Sequence, residues 1–223
     1  VINGVSGANK IEYGYLKDAA VKDTTESFRI FSNTEEVSVY EIVEGRLPQV
    51  DNEIALASFY SGKYNIGDKI CFDEKADITG EKSLKYDEFT VVGFVNSPEF
   101  LSFVNMGQST AGSGELKGYA VVDAAAFNSD YYMIARLTFS DLAGIDPYSD
   151  EYSELLRHHK DELNALLKEQ PGARLAAVKS EYQSQIDEGQ KKIDDARRSI
   201  SDAEQQLDDA KVQIDDASRQ IND

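Results

Sequence analysis

Ile186, Ile193, Ile200, Leu207, Ile214 and Ile221 recur every seven residues, and Gly189, Ala196, Ala203, Ala210 and Ala217 stand three places after the first five. This is a heptad repeat with a large aliphatic residue at a and Gly or Ala at d. A lone amphipathic helix on a globular core drifts about 20° per heptad from a strict seven, so the fixed period predicts a helix that coils against another helix. The small d residues let the partner approach closely. A parallel pair would bury little in its Ala layers, whereas an antiparallel pair sets each large a residue against a small d residue of its mate. Antiparallel pairing is therefore the expectation, through Ile186, Gly189, Ile193, Ala196, Ile200, Ala203, Leu207, Ala210, Ile214, Ala217 and Ile221.

The other positions fit a solvated rod. Asp187-Glu188, Asp194-Asp195, Asp208-Asp209 and Asp215-Asp216 fill b and c, while Lys191, Arg197, Arg198, Lys211 and Arg219 fill e or f. The residues after Pro171 would extend about 75 Å at 1.5 Å per residue. Before them, Tyr152, Leu155, Leu156, Leu163, Leu166 and Leu167 form one stripe of a first helix from about Ser149 to Gln170, with Ser149-Asp150 as its capping region. Proline suits the first turn of a helix far better than its interior, so Pro171-Gly172 marks a break. Residues 148–223 thus read as a helical coiled-coil arm interrupted near 171–172.

Residues 1–147 follow a different grammar, with apolar alternation, aromatics and turn-sized spacings. Ile11–Leu16, Ser27–Phe31, Val37–Val43, Lys69–Phe72, Glu88–Val95, Tyr119–Val122 and Ile134–Phe139 read as strands, because β-branched and aromatic residues concentrate there. Phe89–Val95 is nearly all apolar and should cross the core. Asn52–Tyr60 reads as a short helix capped by Asn52, and Ala124–Phe127 as another. The fold class is α+β, a mixed core domain followed by a long helical arm.

Twenty-three Lys and Arg face 41 Asp and Glu, a formal net charge of −18 that opposes nucleic-acid binding. No apolar run approaches the roughly 18 residues of a membrane span, and the opening VINGVSGANK lacks the pattern of a signal peptide. The chain begins without Met and ends at Ile221-Asn222-Asp223 inside a repeat, as a piece of a longer protein would. One cysteine, Cys71, excludes an intrachain disulfide and a multi-cysteine zinc site; in its strand it reads as a small buried hydrophobe. The Gly-rich stretch Gly107–Gly118 is not a P-loop, since Lys117 is followed by Gly118 and the spacing is wrong, so it reads as a flexible loop. His158 and His159 point about 100° apart on a helix and cannot jointly grip one metal, which leaves them on the surface. The Asp pairs lack the spacing and glycine of an EF-hand. No catalytic residue, cofactor or metal is expected.

Three stretches then carry a resemblance: Glu44-Gly45-Arg46-Leu47-Pro48 with Asn52-Glu53-Ile54-Ala55-Leu56, Tyr64-Asn65-Ile66-Gly67-Asp68-Lys69-Ile70, and Phe89-Thr90-Val91-Val92-Gly93-Phe94-Val95-Asn96-Ser97-Pro98-Glu99. In this order they resemble the extracytoplasmic domain of FtsX/MacB-type ABC transporter permeases. Gly112–Gly118, Tyr119–Val122 and Ala126-Phe127-Asn128-Ser129 resemble the Gram-positive subgroup that carries a long coiled coil. The resemblance covers about residues 11–152. It implies a MacB-like porter part with an inserted β-rich part, here Glu44–Gly118, placed outside the membrane between the first and second transmembrane helices. It also implies a cytoplasmic ATPase acting through those helices, a returning coil helix or a second copy as antiparallel partner, and a mechanical role. The role would be regulation of a cell-wall hydrolase, or export of a peptide or lipid. A surface adhesin or cell-wall spacer with a coiled-coil stalk is the alternative.

Overall fold

The computed structural model describes residues 2–76 and 80–222, with side chains through Arg219. The chain is α+β, with a β-rich region and a long C-terminal helix. Its strands are β1 (Ala8–Gly14), β2 (Leu16–Val21), β3 (Ser27–Ser32), β4 (Glu41–Gly45), β5 (Glu53–Ala57), β6 (Lys69–Asp73), β7 (Glu88–Asn96), β8 (Leu116–Val122) and β9 (Ile134–Phe139). Two helices follow, α1 (Asp150–Leu167) and α2 (Gln170–Asn222). Residues 3–159 form one compact unit, and Lys160 onward belongs to a second.

Seven strands make one sheet in the order β4-β7-β5-β8-β3-β2-β6. β6 pairs with the start of β7 as well as with β2, so β7-β5-β8-β3-β2-β6 closes into a ring, and β4 pairs with the end of β7 from Gly93 to Asn96. Closure removes free edges, and the ring is filled by aromatics. Phe28 meets Phe72 edge-on at 5.7 Å between centroids, and Phe72 meets Phe89 at 6.3 Å. Phe89, Val91 and Val95 are fully buried, so β7 does cross the core. A Cβ on Gly118 would press on the rings of Phe28 and Tyr60, which shows how closely β8 passes over them.

The segment expected as a helix at Asn52–Tyr60 is instead β5, followed by one 3-10 turn at Ser58–Tyr60. Ile54, Ala55, Leu56 and Ala57 are fully buried between β7 and β8, and burial on both faces outweighs the helical preference of alanine. The strand expected at Val37–Val43 begins only at Glu41, and Leu16–Val21 is a separate strand after a break at Tyr15. Gly45, with φ +73°, lies opposite Gly93 in the β4–β7 ladder, where a side chain on either would collide with the other strand's backbone. Gly67, with φ +95°, closes the Asn65–Asp68 turn that launches β6.

β1 and β9 form a separate antiparallel pair, running from Ala8 opposite Phe139 to Gly14 opposite Ile134. The seven-stranded sheet is therefore nested in the chain between the two strands of the smaller one. It draws its strands from Leu16 to Val122, a wider stretch than the Glu44–Gly118 expected for an inserted part. Ser149 caps α1, its hydroxyl accepting the Tyr152 N–H at 3.1 Å, in agreement with the capping region expected there. The helices separate at Lys168-Glu169, two residues before Pro171, which sits in the first turn of α2.

Candidate interaction surfaces

The seam of α2 is open. Ile186, Ile193, Ile200, Leu207 and Ile214 are 49–65% exposed on a helix of 53 residues, about 80 Å long. Gly189, Ala196, Ala203, Ala210 and Ala217 lie on the same face by period; the side chain of Ile221 lies outside the described residues. Leu175 and Tyr182, at the two preceding d positions, extend the stripe toward Pro171 and are also exposed. Such a row of large aliphatics in water is a continuous exposed apolar stripe, the kind of surface that marks interaction sites.

A second apolar surface has no counterpart among the sequence expectations. It begins at a polar junction between the two sheets. Arg136 on β9, 6% exposed, forks onto Glu99, with its Nη2 3.1 Å from Oε2 and its Nε on Oε1. Its guanidinium stacks over Phe31 at 5.3 Å from the ring centroid. Opposite Arg136 in the ladder, the Glu12 carboxylate accepts the N–H groups of Glu35, Glu36 and Val37. Burial opposes ionisation of Glu12 and Glu99, yet hydrogen bonds and the Arg136 charge hold both carboxyls below their ordinary values. Burial raises the Tyr40 phenol strongly beside this cluster.

The junction fixes the base of a loop. Tyr119 accepts the Ser97 N–H at 2.9 Å, donates to the Val95 carbonyl at 3.1 Å, and stacks on Phe100 at 4.9 Å. Beyond that clamp, Leu101 is 96% exposed, and Phe103 and Val104 are also out in solvent. Phe59, Phe100, Phe103 and Tyr119 wall a cleft of about 400 Å³ with Ser58 and Asn96 at its rim. No Lys or Arg occurs from Tyr86 to Leu116, so this surface offers apolar contact without positive charge. The sequence carries the signal as Phe100-Leu101-Ser102-Phe103-Val104, but its exposure depends on Tyr119 and Arg136 holding the base of the loop.

The Gly-rich stretch is not a free loop. Asp18, 6% exposed, pairs with Arg29 at 2.7 and 2.9 Å and accepts the Thr110 N–H at 3.0 Å. Arg29 also donates to the Gln108 carbonyl at 3.2 Å, so one buried carboxylate ties β2, β3 and the loop together. Lys17, Asp73, Lys75 and Thr110 line a cleft of about 360 Å³ beside it. Its mixed charges point to no single ligand.

His159 is not the surface residue that helical spacing suggests. It is 5% exposed, stacked on Phe139 at 3.8 Å and 12°, with Nε2 2.9 Å from both carboxylate oxygens of Asp141. The short turn Ser140–Leu142 after β9 brings that carboxylate under α1, which sequence spacing does not reveal. Cys71 is half-buried rather than buried, 3.7 Å from Glu88 Oε2; burial and the carboxylate raise its pKa and suppress the thiolate. Among the described residues, no group of three or more His, Cys, Asp or Glu is arranged to hold a metal ion. No helix among them is long and apolar enough to cross a membrane.

The carboxylates of the 3–159 unit predict its acid response. Arg46 grips Glu53 through two hydrogen bonds and holds that carboxyl down to about 2 from an ordinary 4.5, while Asp18, Glu12 and Glu99 are lowered as well. A depressed folded-state pKa contributes stability that is present above the unfolded value and lost as pH falls through the folded one. The melting temperature of the 3–159 unit should therefore fall between pH 4.5 and 2, and Glu53→Gln should make the fall shallower. Melts across that range by near-UV circular dichroism check both.

Comparison with protein-family models gives no match for the chain, and comparison with curated proteins gives none.

Proposed function

We propose that this chain is the non-catalytic extracytoplasmic domain of an FtsX/MacB-type ABC transporter permease, in the subgroup with a long coiled coil. Its place is the outer side of the cell membrane, and its work is to pass ATP-driven motion to an extracytoplasmic partner. The observation that carries the reading is α2: 53 residues of helix with an open apolar seam. A stiff rod of that length is more than a core of this size needs for packing, and it suits reach and leverage. The nesting of the seven-stranded sheet between β1 and β9 agrees with a porter-like part, completed by strands from both sides of a β-rich insertion. The loop at Leu101–Val104 supplies a surface on which a partner such as a cell-wall hydrolase could be held.

The test is affinity capture of the full-length protein from detergent-solubilised membranes of its own cell. An ABC-type ATPase should come down in stoichiometric amount. Capture without an ATPase, from a protein that wall digestion releases, would overturn the reading in favour of an adhesin or wall spacer.

A further inference from the structure

We infer that the α2 seam is written for a second copy of the same helix, antiparallel and in one register, with Ile200 of each copy opposite Ala203 of the other. This deepens, and rests on, the reading of the seam as a pairing surface.

Size complementarity comes first. In that register Ile186 meets Ala217 of the second copy, Ile193 meets Ala210, Leu207 meets Ala196 and Ile214 meets Gly189. Every large residue from Ile186 to Ile214 then faces a small one, in both directions, because the pair is two-fold symmetric; only Ile221, at the end of the repeat, falls opposite a large residue, Tyr182. Sliding one heptad toward the N-terminus puts Ile214 against Tyr182, and sliding two puts Leu207 against Tyr182 and Ile214 against Leu175. Those layers carry the large-against-large contact a heptad or more inward from the end of the repeat and would force the helices apart.

Charge then separates the registers that size allows. Positions e and g flank the seam, and an antiparallel pair brings e against e and g against g. With Ile200 opposite Ala203, Arg197 of each copy meets Glu204 of the other, and Lys192 and Lys211 meet neutral glutamines. Sliding one heptad toward the C-terminus keeps large against small but sets Glu204 against Glu204 and Arg197 against Lys211. Sliding one toward the N-terminus sets Arg197 against itself. A parallel pair fares no better, because it brings Lys192 of one copy to Arg197 of the other and stacks Ala on Ala at the d layers from Ala196 to Ala217. The acidic b and c residues face away from the partner in the favoured arrangement, where solvent screens them.

The experiment reads the dissociation constant of the 1–223 chain by sedimentation equilibrium at low ionic strength, with helicity followed by circular dichroism. The native chain should pair. Arg197→Glu should weaken pairing about tenfold, by setting two glutamates against each other twice per dimer, and Glu204→Arg should do the same. The two together should return to within about threefold of the native value, since the exchanged charges meet again across the pair. Tighter pairing by Arg197→Glu would mean a parallel dimer, where Lys192 gains a partner, and would overturn the register. Single substitutions without effect, or a double substitution without rescue, would overturn it also. A native chain that stays monomeric while α2 is fully helical would overturn the seam reading itself, with another protein's helix as the alternative cover.

Discussion

Replacing Ile200 and Leu207 together by Asp should leave the chain monomeric at concentrations where the native chain pairs, while the 3–159 unit melts at an unchanged temperature. Both residues are 58% exposed in the single chain, so the substitutions cost the isolated helix little. In a pair each would be buried, and burial of one such side chain stabilises by about 1.5–3 kcal/mol. Two-fold symmetry applies the loss twice, and each Asp adds a carboxylate that must be desolvated without a counter-charge. Association should weaken by about a thousandfold or more, measured by light scattering and sedimentation. Association that survives both charges would place the contact away from the heptad face.

Val91→Asp should unfold the 3–159 unit. Val91 is fully buried in the core cluster on β7, a strand that pairs with β4, β5 and β6. An aspartate there either ionises in an apolar interior or binds a proton and remains unsatisfied, at a cost of several kcal/mol. Domains of this size hold about 5–15 kcal/mol in total, so most of the margin is lost. The damage reaches far because β7 also closes the ring through β6. Near-UV circular dichroism, which reports the packed tyrosines, should lose its fine structure at room temperature. A native-like spectrum and melt would mean that the ring tolerates an opening at β7.

Of the candidate surfaces, the seam is legible in the sequence alone, because a period of seven runs through one continuous segment and needs no distant contact. The apolar loop is not. Leu101, Phe103 and Val104 look like core residues until Arg136 and Tyr119, far along the chain, are seen to clamp the loop base and leave its tip outside. His159 shows the opposite case, a polar residue drawn inside by Phe139 and Asp141.

By itself the sequence determined the division into a strand-rich part and a helical part, and the cap at Ser149. It also determined which face of α2 carries the apolar stripe. Each of these is set by residues within a turn or a few heptads of one another, where sterics, capping and periodicity act directly. Only the tertiary structure decided that Ile54–Ala57 is a strand, that β6 closes the ring against β7, and that β1 and β9 bracket it. An alanine-rich apolar run satisfies its backbone equally well as helix or strand. What selects the strand is the pair of neighbours, β7 and β8, that bury both its faces, and those neighbours come from segments roughly 30 to 70 residues further along the chain.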